Sequence, residues 1–307
     1  MASPLLRSLK NANFVISLCL LSLTLSRAQQ AFSQQAPDDA PTAPPPPATL
    51  QNPIPADQLT FLKGFDGHPA KELLKDKRFK QLLKQVIPKS EYHYGRDMPL
   101  SEASDAVLWG SKIPIQIRDG RYLTLSGEQG SYLSGRGFLW FDLQTGIAFG
   151  GVYFHPTNGE PSPTLAVFSK QLSEQSLSMS QLPLAFAQDL SNWVATSDAR
   201  WVSPRYFIPA NGKKYVLLHD EDFCDHPPNA PAPDQNKCMK LNEEAADADV
   251  NAAYFMSETH NAANATAWML GPDQTAWIGL RDRTCGITLQ CRIRITRQRT
   301  RILIRGR

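Results

Sequence analysis

The sequence predicts an α+β fold: an N-terminal antiparallel β-meander domain with flanking helices, then a C-terminal helical hairpin or bundle stapled by disulfides. Three observations predict it. Between residues 113 and 169, short alternating apolar runs are punctuated by turn residues about every dozen positions, the pattern of hairpin-linked strands. From Cys238 onward the apolar spacing changes from two to three and four, the period of packed helices. Of the cysteines outside the N-terminal apolar run, Cys238, Cys285 and Cys291 fall in that last part and Cys224 just before it.

The N-terminus reads as an export signal. Arg7 and Lys10 precede an apolar stretch, Phe14–Leu25, too short to span a bilayer, and Ser26-Arg27-Ala28 offers a small-x-small cleavage site. Cys19 follows Leu18 and is followed by more apolar residues, so no lipobox is present and no lipid anchor is expected. Losing residues 1–28 removes Arg7, Lys10 and Arg27 and leaves bases and acids balanced at 29 each. Four cysteines in an exported chain predict two disulfides with three pairings available. The short loops favour 224–238 with 285–291, and 238–285 with 224–291 stays open. Periplasmic or secreted localisation follows, with no transmembrane segment in the mature chain. Residues 29–58 form a Pro-rich linker in which Ala43–Ala48 should be extended polyproline II. A domain over 59–218, of unknown ligand, and a helical one over 219–307 complete the expected division.

From Leu59 the composition becomes globular. Lys71–Val86 places Leu73, Leu74, Phe79, Leu82, Leu83 and Val86 near one face of a basic amphipathic helix stopped by Pro88. A lysine-edged helix docked on the core accounts for it better than a membrane or peptidoglycan surface. Leu100–Trp109 makes a second helix. Strands are expected at 113–117, 121–126, 137–143, 147–154 and 164–169, then a helix about Gln181–Trp193 and a hairpin over 205–218 turning at Asn211-Gly212. The strands alternate as if one face of the sheet were solvated.

The most informative residues lie after 238. Asp247, Asn251 and Tyr254, four and three apart, share one helix face; Gln274, Trp277 and Arg281 do the same. Leu241, Ala245, Ala248, Ala252 and Phe255 form a seam that admits a close partner helix. Taken in order, D-x-x-x-N-x-x-Y (Asp247, Asn251, Tyr254), then Gln274, Trp277, Arg281, Asp282 and Cys285, then Cys291, Thr296, Arg299, Thr300 and Leu303, resemble the C-terminal domain of the LprI-like lysozyme-inhibitor family. The resemblance covers roughly residues 224–305. One departure is the five residues between Cys285 and Cys291, a short interval for this family. The resemblance implies an exported protein that binds lysozyme and brings no catalytic residues. It also implies a helix for the Arg-rich tail, with Ile293, Thr296, Thr300 and Leu303 inward, although the R-I-R-I alternation suits a strand. An equally bottom-up reading has Arg281 pairing with Asp247, with Asn251, Gln274 and the Tyr254 hydroxyl satisfying one another. The motif then specifies the hairpin and not a ligand.

Charge is segregated. Residues 220–249 hold nine acids, Glu243 and Glu244 among them, against Lys237 and Lys240; residues 291–307 hold seven arginines and no acid. Lysozymes are cationic with an acidic catalytic cleft, so an acidic docking surface and a basic finger suit an inhibitor that acts by steric occlusion. Binding is therefore expected at Glu243, Glu244, Asp247, Asn251, Tyr254, Gln274, Trp277, Arg281 and Asp282. A non-enzymatic factor holding peptidoglycan or an anionic envelope polymer is the alternative. A hydrolase with a site around His155 and Glu160 is the third reading, against which an ordinary β-turn accounts for those residues. His219–His226 concentrates histidines, carboxylates and a thiol, but lacks helical ligand spacing and reads as a solvated acidic loop. The chain has no P-loop, G-x-S-x-G or H-E-x-x-H. No cofactor, no metal and no nucleic-acid partner is expected, and the protein is expected not to be an enzyme.

Overall fold

The computed structural model describes residues 50–93, 96–129, 135–154, 164–173, 177–197, 203–226, 229–261 and 267–305. The expected export signal, the expected linker up to residue 49 and the His155–Glu160 segment lie outside the described residues.

The helices begin with α1 (Ala56–Leu59), which runs into a 3-10 turn over Thr60–Phe65. The expected single helix over 71–86 is two, α2 (Ala70–Lys75) and α3 (Lys77–Val86). Asp76 sits extended between them and its carboxylate accepts from the Arg78 amide at 2.8 Å, capping α3. An Asp side chain competes with the backbone for such amides, which is why it starts a helix and interrupts one. The apolar face still lands inside: Leu73, Leu74, Phe79, Leu82 and Val86 are buried. A short hairpin, β1 (Glu91–His93) and β2 (Asp97–Pro99), leads into α4 (Leu100–Leu108).

The main sheet has eight strands. Five form the expected meander: β3 (Gln116–Arg118), β4 (Tyr122–Gln129), β5 (Gly135–Asp142), β6 (Ala148–Phe154) and β7 (Thr164–Phe168), each antiparallel to the next. β8 (Leu177–Ser178) and α5 (Leu184–Thr196) follow, then the hairpin β9 (Arg205–Ile208) and β10 (Tyr215–Leu218). The spatial order is β3-β4-β5-β6-β7-β9-β10-β8, with β9 parallel to β7 and β8 parallel to β10. Gly150 is required where it stands, because a Cβ there would lie 2.1 Å from the Phe168 ring on the neighbouring strand.

Through β5, β6, β7 and β9 neither face of the sheet is solvated, contrary to the alternation expected. That alternation holds only at the β3–β4 edge, where Leu123 and Leu125 are buried between half-buried Tyr122, Thr124 and Ser126. Along β5, Leu139 and Phe141 enter one core while Phe138 and Trp140 enter the other, and all four are buried. A run such as Phe138-Leu139-Trp140-Phe141 is what a strand covered on both sides requires. One face carries α2, α3 and α4. The opposite face carries α5, whose Phe186, Leu190 and Trp193 stack among Phe138, Trp140 and Phe149.

The C-terminal helices are α6 (Gln235–Asn261), α7 (Ala267–Cys285) and α8 (Leu289–Arg305). The Arg-rich tail is thus a helix, with Ile293, Thr296, Thr300 and Leu303 buried. The disulfides join Cys224 to Cys238 and Cys285 to Cys291, the local set. The alanine seam is real, since Ala245, Ala248 and Ala252 are buried, but its partner is α8; α6 contacts α7 far less. Val250, Ala252, Ala253 and Leu303 join the core on the sheet face that carries α2 to α4. A polar peg fixes the junction: buried Asp249 accepts from the His219 backbone amide at 3.1 Å and lies 2.6 Å from its Nδ1. Among the described residues no helix is long and apolar enough to cross a membrane.

Candidate functional site

The residues singled out by spacing converge on the interface of α6, α7 and α8. Every fourth or third residue of α6 from Glu243 through Asp247, Asn251 and Tyr254 returns to one side of the helix. Arg281, 8 % exposed, donates from Nη1 to Asp247 at 2.9 Å and to the Thr296 hydroxyl at 3.2 Å, and from Nε to Asp282 at 3.2 Å. Arg292 reaches across from α8 to Glu243, and to Asp282 at 2.8 Å. Arg299, also buried, donates to Gln274 at 3.1 Å and pairs with Asp273. The Trp277 ring lies between two of these cations, with the Arg281 and Arg299 guanidinium carbons 5.2 and 5.9 Å from its centroid.

The electrostatics follow from this arrangement. Burial pushes the Asp247 carboxyl above its ordinary value, Glu243 adding to the effect and Arg281 opposing it. Asp282, at the surface, overcomes a desolvation penalty because Arg281 and Arg292 hold it below the usual carboxylate range. Arg292 is held above its ordinary value, chiefly by its hydrogen bond to Glu243. The site is a network of mutually neutralised charges. Nothing in it supplies a nucleophile beside a base.

The sequence-derived residues divide between this network and the surface. Asp247, Gln274, Trp277, Arg281 and Asp282 are brought together as described. Asn251 is exposed, and Tyr254 is half-buried against the sheet core, its ring edge-on to Phe255. Glu244 is exposed, whereas Glu243 is committed to Arg292. Ile278, beside the stripe of Gln274, Trp277 and Arg281, is 40 % exposed, because α7 packs through the Gln274 and Arg281 side. Sequence reasoning missed Arg292 as a partner of Glu243. Its signal was the seven-residue step from Arg292 to Arg299, which returns both arginines to one face of α8.

This three-helix assembly is where known proteins come in. Residues 224–303 match the family model for the lysozyme inhibitor LprI. No curated protein and no solved structure matches the chain. The LprI-matching segment begins at the first disulfide cysteine and ends at Leu303, so it spans both bridges and the whole arginine–carboxylate network.

The acidic His219–His226 segment divides among other partners. His219 meets Asp249, Cys224 is disulfide-bonded, and the Asp222 carboxylate accepts from the Cys224 amide and from Asn242. Among the described residues no cluster of metal-ligating side chains forms. Among the described residues, the grooves on the sheet-bearing part include two of comparable size. One of about 670 Å³ runs beside α5, near the Arg118–Asp189 ion pair. Another, of about 950 Å³, is edged by Lys80, Lys84, Lys89 and Lys170 and by Glu91, Glu102 and Asp105.

Proposed function

We propose that this protein binds lysozyme through its C-terminal helical module and inhibits it by steric occlusion, without chemistry of its own. The match of residues 224–303 to the LprI lysozyme-inhibitor family carries the proposal. Two further observations support it. Both bridges are formed, as suits an exported protein, periplasmic or secreted. The motif side chains are spent on holding three helices together, so the module offers a shaped surface and no reactive group. In this reading the β-rich part, 59–218, carries and orients the module. The envelope-polymer alternative loses part of its basis, because Arg292 and Arg299 are already neutralised inside the module.

The test is a titration of the mature protein against chicken-type, goose-type and invertebrate-type lysozymes, following lysis of a cell-wall suspension. Saturable inhibition of at least one class at near-equimolar ratio is expected. Absence of both inhibition and binding with all three removes the proposal.

A further inference from the structure

The five residues between Cys285 and Cys291, short for the family resemblance drawn above, form a stapled tip at the α7–α8 turn. Gly286 takes a left-handed conformation, φ 53°, and reverses the chain where a Cβ would be strained. Its amide donates to the Asp282 carbonyl at 3.0 Å, and the Thr288 amide donates to the Cys285 carbonyl at 3.0 Å. Arg292 adds a contact to the Gly286 carbonyl at 3.4 Å while holding Glu243 and Asp282. A loop closed by a disulfide, two backbone bonds and a guanidinium is ordered before it meets a partner, so little entropy is lost on docking.

What this loop presents is unusual for a surface. Ile287 is 96 % exposed, and Leu280, five residues before the end of α7, is 55 % exposed. The charges beside them are of one free sign. Asp282 is shared between Arg281 and Arg292, whereas Arg283 and Arg294, in the last turn of α7 and the second turn of α8, are exposed with no ion-pair partner among the described residues. An apolar tip flanked by two free cations is complementary to a concave site bearing carboxylates. A lysozyme cleft is such a site, because glycoside hydrolysis uses a pair of carboxyl groups flanking the sugar-binding groove. Packing against a second copy would instead set Arg283 and Arg294 against their own equivalents.

We infer that the 285–291 loop is the element that enters the lysozyme cleft, with Ile287 at its tip and Arg283 and Arg294 at its flanks. The inference rests on the lysozyme reading above and adds where the contact is made. It is tested on the full mature chain with Ile287→Asp and with Arg283→Glu/Arg294→Glu, using Glu244→Lys, on the exposed face of α6, as the comparison. Both loop variants should keep the wild-type melting temperature, since none of these side chains is buried, and weaken lysozyme binding about tenfold or more. Glu244→Lys should weaken it less. A chitotriose ligand filling the cleft should compete with the wild-type protein.

If the wild type inhibits and both loop variants bind as tightly as it does, the loop assignment falls and the lysozyme reading stands. Binding unaffected by chitotriose also removes the loop from the cleft. A dimer that Ile287→Asp dissolves without loss of inhibition assigns the tip to self-association and overturns the inference. If the wild type neither binds nor inhibits any lysozyme, both proposals fall together.

Discussion

The sheet-bearing part and the C-terminal helices are held together by different chemistry within one chain. The sheet is clamped by aromatic packing on both faces, as where the Phe149 and Phe186 rings stack with centroids 4.4 Å apart. Several of its ion pairs join one buried member to a half-exposed one, as Arg121–Asp142 does. The helical part packs alanines along α6 and fills the remaining contact with guanidinium, carboxylate and indole groups. Alanine buries little apolar area, so such a module gains less from the hydrophobic effect and leans on charge pairing and on bridges that limit the unfolded chain. A fold can thus draw its stability from aromatic packing in one region and from staples and paired charges in another.

The difference is breakable in order of expected effect. Phe149→Ala, emptying a fully buried site between β6 and α5, should cost about 4 kcal/mol. Denaturant unfolding measures it, and the loss should be the same with or without reductant. Arg281→Met should cost about 2 kcal/mol, because Asp247 and Asp282 lose their shared cation but keep partial access to water, while the buried Thr296 hydroxyl loses its donor. Near-ultraviolet circular dichroism should show the change at Trp277. Asp247→Asn should cost much less at neutral pH. Its carboxyl is raised in the folded state, so its contribution to stability is complete below the unfolded value and is lost as pH rises through the folded one.

Reduction probes the staples. Each bridge should contribute about 2–3 kcal/mol. Far-ultraviolet circular dichroism should lose helical signal on reduction while the sheet's aromatic signals persist; loss of both together would erase the contrast between the regions. The acid limb sharpens it from the other side. Desolvation works against the Asp142 carboxylate, but Arg121, Thr145 and the Gln144 amide lower it to about 2. Its contribution, about 2 kcal/mol, should be present above pH 4 and vanish as pH falls toward 2. Asp142→Asn should flatten that limb in pH-dependent melting curves.

Several parts of this arrangement were readable from the sequence. The meander and the hairpin at Asn211-Gly212 were, because period-two alternation and turn residues act between neighbours along the chain. The parallel pairing of β9 with β7 was not, since α5 and more than thirty residues separate them and no local pattern records the partner. The two-residue β8 carries no periodic signal at all. Asp247 from one stripe and Gln274, Trp277 and Arg281 from the other marked the network in advance, and Arg281 does meet Asp247, while Asn251 and Tyr254 lie outside it. The pairing of Glu243 with Arg292 needed the third helix in place, because every arginine of an Arg-rich helix looks equivalent until some are buried.

By itself the sequence determined what depends on spacing along the chain: where strands and helices form, that the C-terminal part is helical and stapled, and how acids and arginines are segregated. The tertiary structure decided what depends on proximity and removal from water. It set the local pairing of the cysteines, put α8 and not α7 against the alanine seam, and divided the arginines into those tied to carboxylates and those left at the surface. It also covered the second face of the sheet. The physical reason is one and the same: backbone geometry repeats every two or three and a half residues whatever lies nearby, whereas the partner a charge or a ring acquires is set by which distant segment excludes its water.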